Sequence, residues 1–245
     1  MNDINLTEIQ YKLYDSLKES KWNNVLKLFI LSDDFLDILK YLFNESSHKR
    51  HFGPTLKYLF RAFQECSYDD LKVIIIGQDP YNTYNDADGL AFSTSLAKTA
   101  LADDMQEEHR LNITLDYMFN EIERTVYPEK EYVRDKDLKR WANQGILLLN
   151  TPLTARLFET DNENHTILWA PFVEYLMNTL NEKKENLIYV FIGKKSQKLI
   201  YEVNESKNKI YKLTHPLTGV YMRHGWNCED IFNKINKDLK NKIKW

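Results

Sequence analysis

Glycine is scarce in this chain: 7 residues in 245, about 3% against a usual ~7%. Few positions can therefore hold an unusual backbone geometry, and those that can are informative. With only 6 prolines, and no stretch rich in Pro, Gly or Ser, there is no sign of a flexible linker or low-complexity tract. The 2 cysteines, Cys66 and Cys228, lie far apart, which excludes a disulfide framework and a zinc site built from several cysteines. No apolar run approaches the ~18 residues of a membrane span. Charge of one sign is also missing: 33 basic against 36 acidic side chains leave a net charge of −3. A nucleic-acid site, if present, must be a local patch. The N-terminus has no secretory pattern, so the expectation is a cytoplasmic protein, or a nuclear one if the source is a eukaryote or its virus.

What the chain does have is an ordinary globular content of apolar residues, 43%, in a length that suits one large domain. Residues 1–50 read as helical, with Leu6, Ile9, Leu13 and Leu17, then Val25, Leu26, Phe29 and Ile30, recurring at helical spacing. A further helix is expected from Pro54 to Gln64. The pattern then changes. Lys72–Ile76, Ile146–Leu149 and Leu187–Ile192 are continuous apolar runs, as in strands covered on both faces, and Lys209–Leu213 is a fourth strand. Helical segments over 113–126, 135–143, 168–183, 194–203 and 228–240 separate or follow them. This alternation predicts a three-layer α/β sandwich, a central four-stranded parallel sheet flanked by helices, in a single domain 1–245 whose first 50 residues form a helical extension.

Ligands of open parallel sheets bind at the carboxyl ends of the strands. The residues there are Gln78-Asp79, Asn150 and His215. A carboxylate can orient water or stabilise a developing cation. A carboxamide offers a donor and an acceptor together, which suits the edge of a nucleobase. An imidazole can donate to an oxygen that gains negative charge. Tyr81 and Phe92 are close enough in sequence to wall a flat pocket. Each also has a plainer reading. Asp79-Pro80 is compatible with a turn, Asn150 with a strand-end cap, His215 with a satisfied buried histidine, and the aromatics with core packing. The other histidines, among them His48, His51, His109 and His165, show no metal-ligand spacing.

Three segments together narrow the choice. Gly77-Gln-Asp-Pro-Tyr81 with Gly89-Leu-Ala-Phe-Ser93, then Trp141 to Asn150 continuing into Leu153-Thr154, then His215-Pro216, resemble in order and spacing the signatures of family 1 uracil-DNA glycosylases. The resemblance runs with gaps from about residue 52 to 240. It implies hydrolysis of the N-glycosidic bond of deoxyuridine in single- or double-stranded DNA by base flipping, with no metal or cofactor. It assigns Asp79 to the attacking water and the cationic sugar, and His215 to the uracil O2. Asn150 would read N3 and O4, Phe92 would stack on the base, Tyr81 would exclude a 5-methyl group, and Gln78 would add backbone contacts. DNA contacts would come from Ser93, Thr114, Leu217, Thr218, Gly219 and Arg223. A monomer is expected, with DNA and a DNA-mimicking protein inhibitor as partners.

The chain departs from the family pattern in several places. Asn82 and Asp88 stand where histidines are usual, and Asp88 near Asp86 predicts a more negative loop. The proline-serine loop is replaced by an acidic stretch around Asp103-Asp104 and Glu107-Glu108, and Thr114 takes the place of its serine. His215-Pro-Leu-Thr-Gly-Val220 puts the wedge leucine at Gly219, or at Leu217 if the loop is shifted. Lys194, Lys195 and Lys198 offer a phosphate-facing patch. These departures leave two alternatives open: a glycosylase for a different or modified base, and an inactive DNA-binding accessory of the same fold.

Overall fold

In the computed structural model, residues 5–94, 113–219 and 225–245 are described. The N-terminal region forms α1 (Leu6–Asp15), α2 (Trp22–Ile30) and α3 (Asp33–Ser47). Ser32 caps α3, its hydroxyl accepting from Phe35 N at 3.3 Å, and Asp33 and Asp34 lie in the first turn, at the positive end of the helix. A two-residue strand β1 (Phe52–Gly53) follows, then a 3₁₀ turn (Leu56–Tyr58) and α4 (Arg61–Glu65). The single helix expected over 54–64 is thus broken: Phe60 leaves helical geometry, and the Tyr58 carbonyl lies against the backbone of Gly89.

Then come β2 (Val73–Ile76), α5 (Ile113–Thr125), α6 (Lys139–Ala142), β3 (Ile146–Leu149) and β4 (Ala155–Arg156). The chain closes with α7 (Glu163–Lys183), β5 (Ile188–Ile192), β6 (Lys209–Leu213) and α8 (Ile231–Asp238). Helix α7 begins earlier than the expected residue 168, its polar first turn having hidden the start. The expected helix over 194–203 is a 3₁₀ segment, Ser196–Glu202.

The main sheet has the order β3-β2-β5-β6, all parallel, and β1 pairs with β4 antiparallel in a separate two-stranded sheet. Every residue of β2, β3 and β5 is buried, as strands covered by helices on both faces require. Strand β6 is at the edge, and only its last residue, Leu213, is buried. The register aligns Ile76 with Leu149 and with Phe191, so the strand ends form one rim. From β2 the chain crosses to β3 on one side and then returns to β5 on the other. That makes the crevice between β2 and β5 the topological switch point, where ligands of such sheets bind.

One hydrophobic cluster runs from Leu13 to Trp245 and joins the N-terminal helices to the sheet layers. Phe29 meets Phe172 edge-on at 5.3 Å between ring centres, and Phe35 lies 5.7 Å from Phe60.

Candidate active site

A cavity of about 340 Å³ opens at the switch point. Gln78, Asp79 and Tyr81 reach it from the end of β2, Asn150 from the end of β3, and His215 and Leu217 from the end of β6. Phe92 and Thr114 complete this set, so eight of the sequence-predicted residues share one cavity. A larger cavity of about 540 Å³ lies among Leu42, Phe52, Tyr58, Tyr84 and Leu157, but no carboxylate lines it.

Two glycines make the cavity possible. A Cβ on Gly77 would stand 2.7 Å from Asn150 Oδ1 and 3.2 Å from Phe92 Cζ, so the bare backbone lets the carboxamide and the ring close on the strand end. Gly193 has φ +93°, and its missing Cβ leaves room for the Gln78 carboxamide, whose Nε2 would be 1.8 Å away. The Tyr81 hydroxyl donates to Phe92 O at 3.2 Å and fixes the two aromatics relative to each other. Burial, followed by the charges of Asp88 and Asp86, pushes the Tyr81 phenol well above its ordinary range, so it stays a neutral donor.

His215 is poised in one tautomer. Leu217 N–H donates to its Nδ1 at 3.3 Å, which leaves the proton of the neutral ring on Nε2. Burial lowers its pKa below the ordinary 6.5, so at neutral pH the ring is uncharged. The Phe92 ring lies 6.5 Å from the imidazole, centre to centre.

Both oxygens of Asp79 are held. Asn162 Nδ2 donates to Oδ1 at 2.8 Å, and Lys195 Nζ lies 2.8 Å from Oδ2. Asn162 is the N-cap residue of α7, yet its side chain makes no cap bond. Its second N–H goes to Thr154 O at 3.2 Å. Thr154 Oγ1 accepts from Trp169 Nε1 at 2.7 Å and lies 2.7 Å from His165 Nδ1. The threonine proton therefore points to that nitrogen, and His165 Nε2 donates to Glu45 Oε2 at 2.8 Å. Glu45 also accepts from Arg156 Nε at 2.7 Å. Helix α3, to which the sequence assigns no role, thus anchors a buried chain of bonds that ends on Asp79. For His165 burial lowers the pKa and outweighs Glu45, so the ring is neutral. For Glu45 burial acts upward, but the bonds from Arg156 and His165 hold the carboxyl below its usual range.

Sequence reasoning missed Asn162, Glu159 and Thr160, which also line the cavity. Asn162 lies before residue 168, where the sequence places the start of this helix, so nothing in the sequence marks it. Asn82 donates to Glu159 O at 2.6 Å and its own carbonyl accepts from Phe158 N at 2.6 Å, tying two rim loops together.

Other expectations are corrected. Asp88 does not make the rim more negative: it is fully buried and its Oδ2 lies 2.7 Å from Arg61 Nη1. Asp86 is buried and accepts from Thr83. Ser93 is not brought to the cavity; it is fully buried and donates to Asp88 Oδ2 at 2.5 Å. Gly219 is buried beneath the backbone of Gly225 and Trp226, where a Cβ would come within 2.6 Å, so it offers no wedge; Leu217 is the leucine at the cavity. Thr218 is exposed, and its hydroxyl donates to His215 O at 2.7 Å. Arg223 and the acidic stretch of residues 102–108 lie outside the described residues.

With this geometry in view, the comparisons with known proteins are decisive. Residues 63–240 match the model of the Uracil DNA glycosylase superfamily. The chain belongs to this superfamily. A uracil-DNA glycosylase of Acinetobacter baumannii (strain SDF) is 30% identical over 238 residues, covering 97% of this chain and 94% of the relative. One from Clostridioides difficile (strain 630) is 32% identical over 222 residues, covering 89% and 91%. Among solved structures, mimivirus uracil-DNA glycosylase shares the fold with a TM-score of 0.77 at 22% identity, covering 99% of this chain and 89% of that one. A variant of the mimivirus UNG in complex with UGI gives 0.76 at 23% identity, with 91% and 87% covered. The superfamily's sheet and the chain's own four-stranded parallel sheet agree in class, and the rim described above is where this member carries its cavity.

Proposed function

We propose that this protein is a uracil-DNA glycosylase, a hydrolase that cuts the N-glycosidic bond of deoxyuridine in DNA and leaves an abasic site for base-excision repair. The observation that carries the reading is the convergence on one cavity of Asp79 and Tyr81, Asn150 and His215 from three strand ends, with Phe92 beside them. The uracil ring, turned out of the strand, would lie against Phe92 with Tyr81 at its C5 edge. A thymine methyl would meet the Tyr81 ring. The Asn150 carboxamide would pair with N3 and O4, where cytosine presents the opposite polarity and would leave buried polar groups unpaired, at roughly 1–3 kcal/mol each.

As the bond lengthens, negative charge grows on the base and positive charge on the sugar. The neutral His215 Nε2–H donates to uracil O2, stabilising the departing anion without fully protonating it. Asp79 faces the sugar cation and holds the water that captures it. Asn162 fixes the direction of the carboxylate. Leu217 at the cavity mouth is the wedge of this reading, and Thr114 and Thr218 are rim contacts to the strand. Single-stranded DNA avoids the unpairing cost. The mimivirus UNG variant solved in complex with UGI supports a protein inhibitor as a second kind of partner. Localisation follows the DNA: cytoplasm, or nucleus in a eukaryotic setting.

Release of free uracil from a single-stranded oligonucleotide carrying one uracil, beside matched thymine and cytosine strands, tests the reading. Uracil alone should be released.

A further inference from the structure

The two hydrogen-bond partners of Asp79 differ in kind. Asn162 is buried at 5% exposure and is itself held by Thr154 O. Lys195 is half exposed, with 52% of its side chain accessible, and it reaches Asp79 from the turn after β5. That turn is pinned from below: Ser196 is buried and donates to Gly193 O at 2.9 Å. One carboxylate oxygen is therefore fixed by a buried amide, and the other is covered by a long, solvated cation.

This cover opposes the chemistry assigned to Asp79. An ammonium 2.8 Å from Oδ2 offsets the negative charge that has to face the sugar cation, and it occupies a lone-pair direction that water needs. An exposed ion pair of this kind is weak and screened by salt. A DNA strand brings phosphates, each a competing anion for the same ammonium. Lys194 and Lys198, both exposed, stand on the same segment and favour the approach of a polyanion.

We infer that Lys195 is a specificity-determining residue: it caps Asp79 in the DNA-free protein and transfers to a backbone phosphate of the substrate. The full charge of Asp79 is then presented only to uracil carried in a polynucleotide. The inference rests on the reading of Asp79 as the water-holding carboxylate.

The test compares wild type, Lys195→Met and Lys195→Arg on a long uracil-containing single strand and on a uracil-centred trinucleotide whose linkages are neutral methylphosphonates, over a range of salt. Lys195→Met keeps the stem and removes the charge. It should raise kcat several-fold on the trinucleotide and so narrow the gap between the two substrates. On the long strand it should flatten the slope of log kcat/KM against log salt by about 0.7, one phosphate contact on a single strand. Lys195→Arg should retain the wild-type slope. An unchanged length ratio and slope in Lys195→Met, or an equal fall in kcat on both substrates, would overturn the inference. Asp79→Asn runs as a separate arm. Wild-type turnover there would remove the underlying reading of Asp79. A dead Asp79→Asn with an indifferent Lys195→Met would remove only the role of Lys195.

Discussion

Asn162 Nδ2 stands 2.8 Å from Asp79 Oδ1, although the two residues are 83 apart in sequence and neither is a regular strand position. The bond joins the proposed catalytic carboxylate to a buried polar chain through Thr154 and His165 to Glu45 on α3. Asn162→Ala should therefore lower kcat by about 10²-fold with little change in KM, since small misplacement of a reacting group has effects of that size. Steady-state kinetics on a uracil oligonucleotide check this. A wild-type kcat would show that Asp79 needs no such support.

The same chain predicts how stability depends on pH. His165 is neutral when folded, with its pKa below the ordinary 6.5. Below 6.5 the unfolded chain takes up a proton that the folded chain refuses. This contribution is complete above pH 6.5 and declines as pH falls beneath it. Glu45, held below its ordinary 4.5, adds stability that is present above 4.5 and lost as pH falls through its lowered value. Thermal melts from pH 8 downward should show a falling Tm in both windows, and His165→Gln should flatten the upper one. A Tm indifferent to pH between 7 and 5 would contradict the assignment.

His215 gives a kinetic counterpart. Its pKa also lies below 6.5, because burial disfavours the charged ring. The neutral Nε2–H donor thus persists into mildly acidic solution. The acid limb of kcat/KM that disappears in His215→Gln should lie below pH 6.5. A limb centred above 6.5 would mean that the ring is charged in the working protein.

Arg61 neutralises Asp88 in the interior and also lies 2.7 Å from Asp137. Arg61→Leu should destabilise the fold by about 3–5 kcal/mol, the scale for a buried charge left without its partner. Adding Asp88→Asn should recover part of the loss. Denaturant melts measure both; a single variant of wild-type stability would show that Asp88 is satisfied by other groups.

Asn150→Asp removes the carboxamide donor whose oxygen packs over Gly77. Uracil excision should fall, and cytosine should begin to be accepted. Strict exclusion of cytosine with unchanged uracil release would remove Asn150 as the reader.

The parts of this molecule that are legible in the sequence share a physical trait: their signal is local. Ile146–Leu149 is apolar without a break because both faces are covered, and Gln78-Asp79, Asn150 and His215 follow strands directly. Paired elements as short as β1 and β4 have no period to read. Asp88 reads as surface charge because its counter-ion, Arg61, comes from α4. Asn162 gives no signal because its partner, Asp79, is 83 residues away in sequence. Lys195 reads as one of three lysines in a phosphate-facing patch, and only the fold brings it to Asp79. Long-range pairing of polar groups is what the sequence conceals.

The central claim is that Asp79 and its cavity excise uracil. The most direct measurement is strand scission at abasic sites after incubating the protein, with EDTA, on single-stranded oligonucleotides bearing uracil, thymine or cytosine at one position. The uracil strand alone should be cleaved, with cleavage reduced by about 10²–10⁴-fold in Asp79→Asn. Cleavage of none of the three, or equal cleavage by Asp79→Asn, would contradict it.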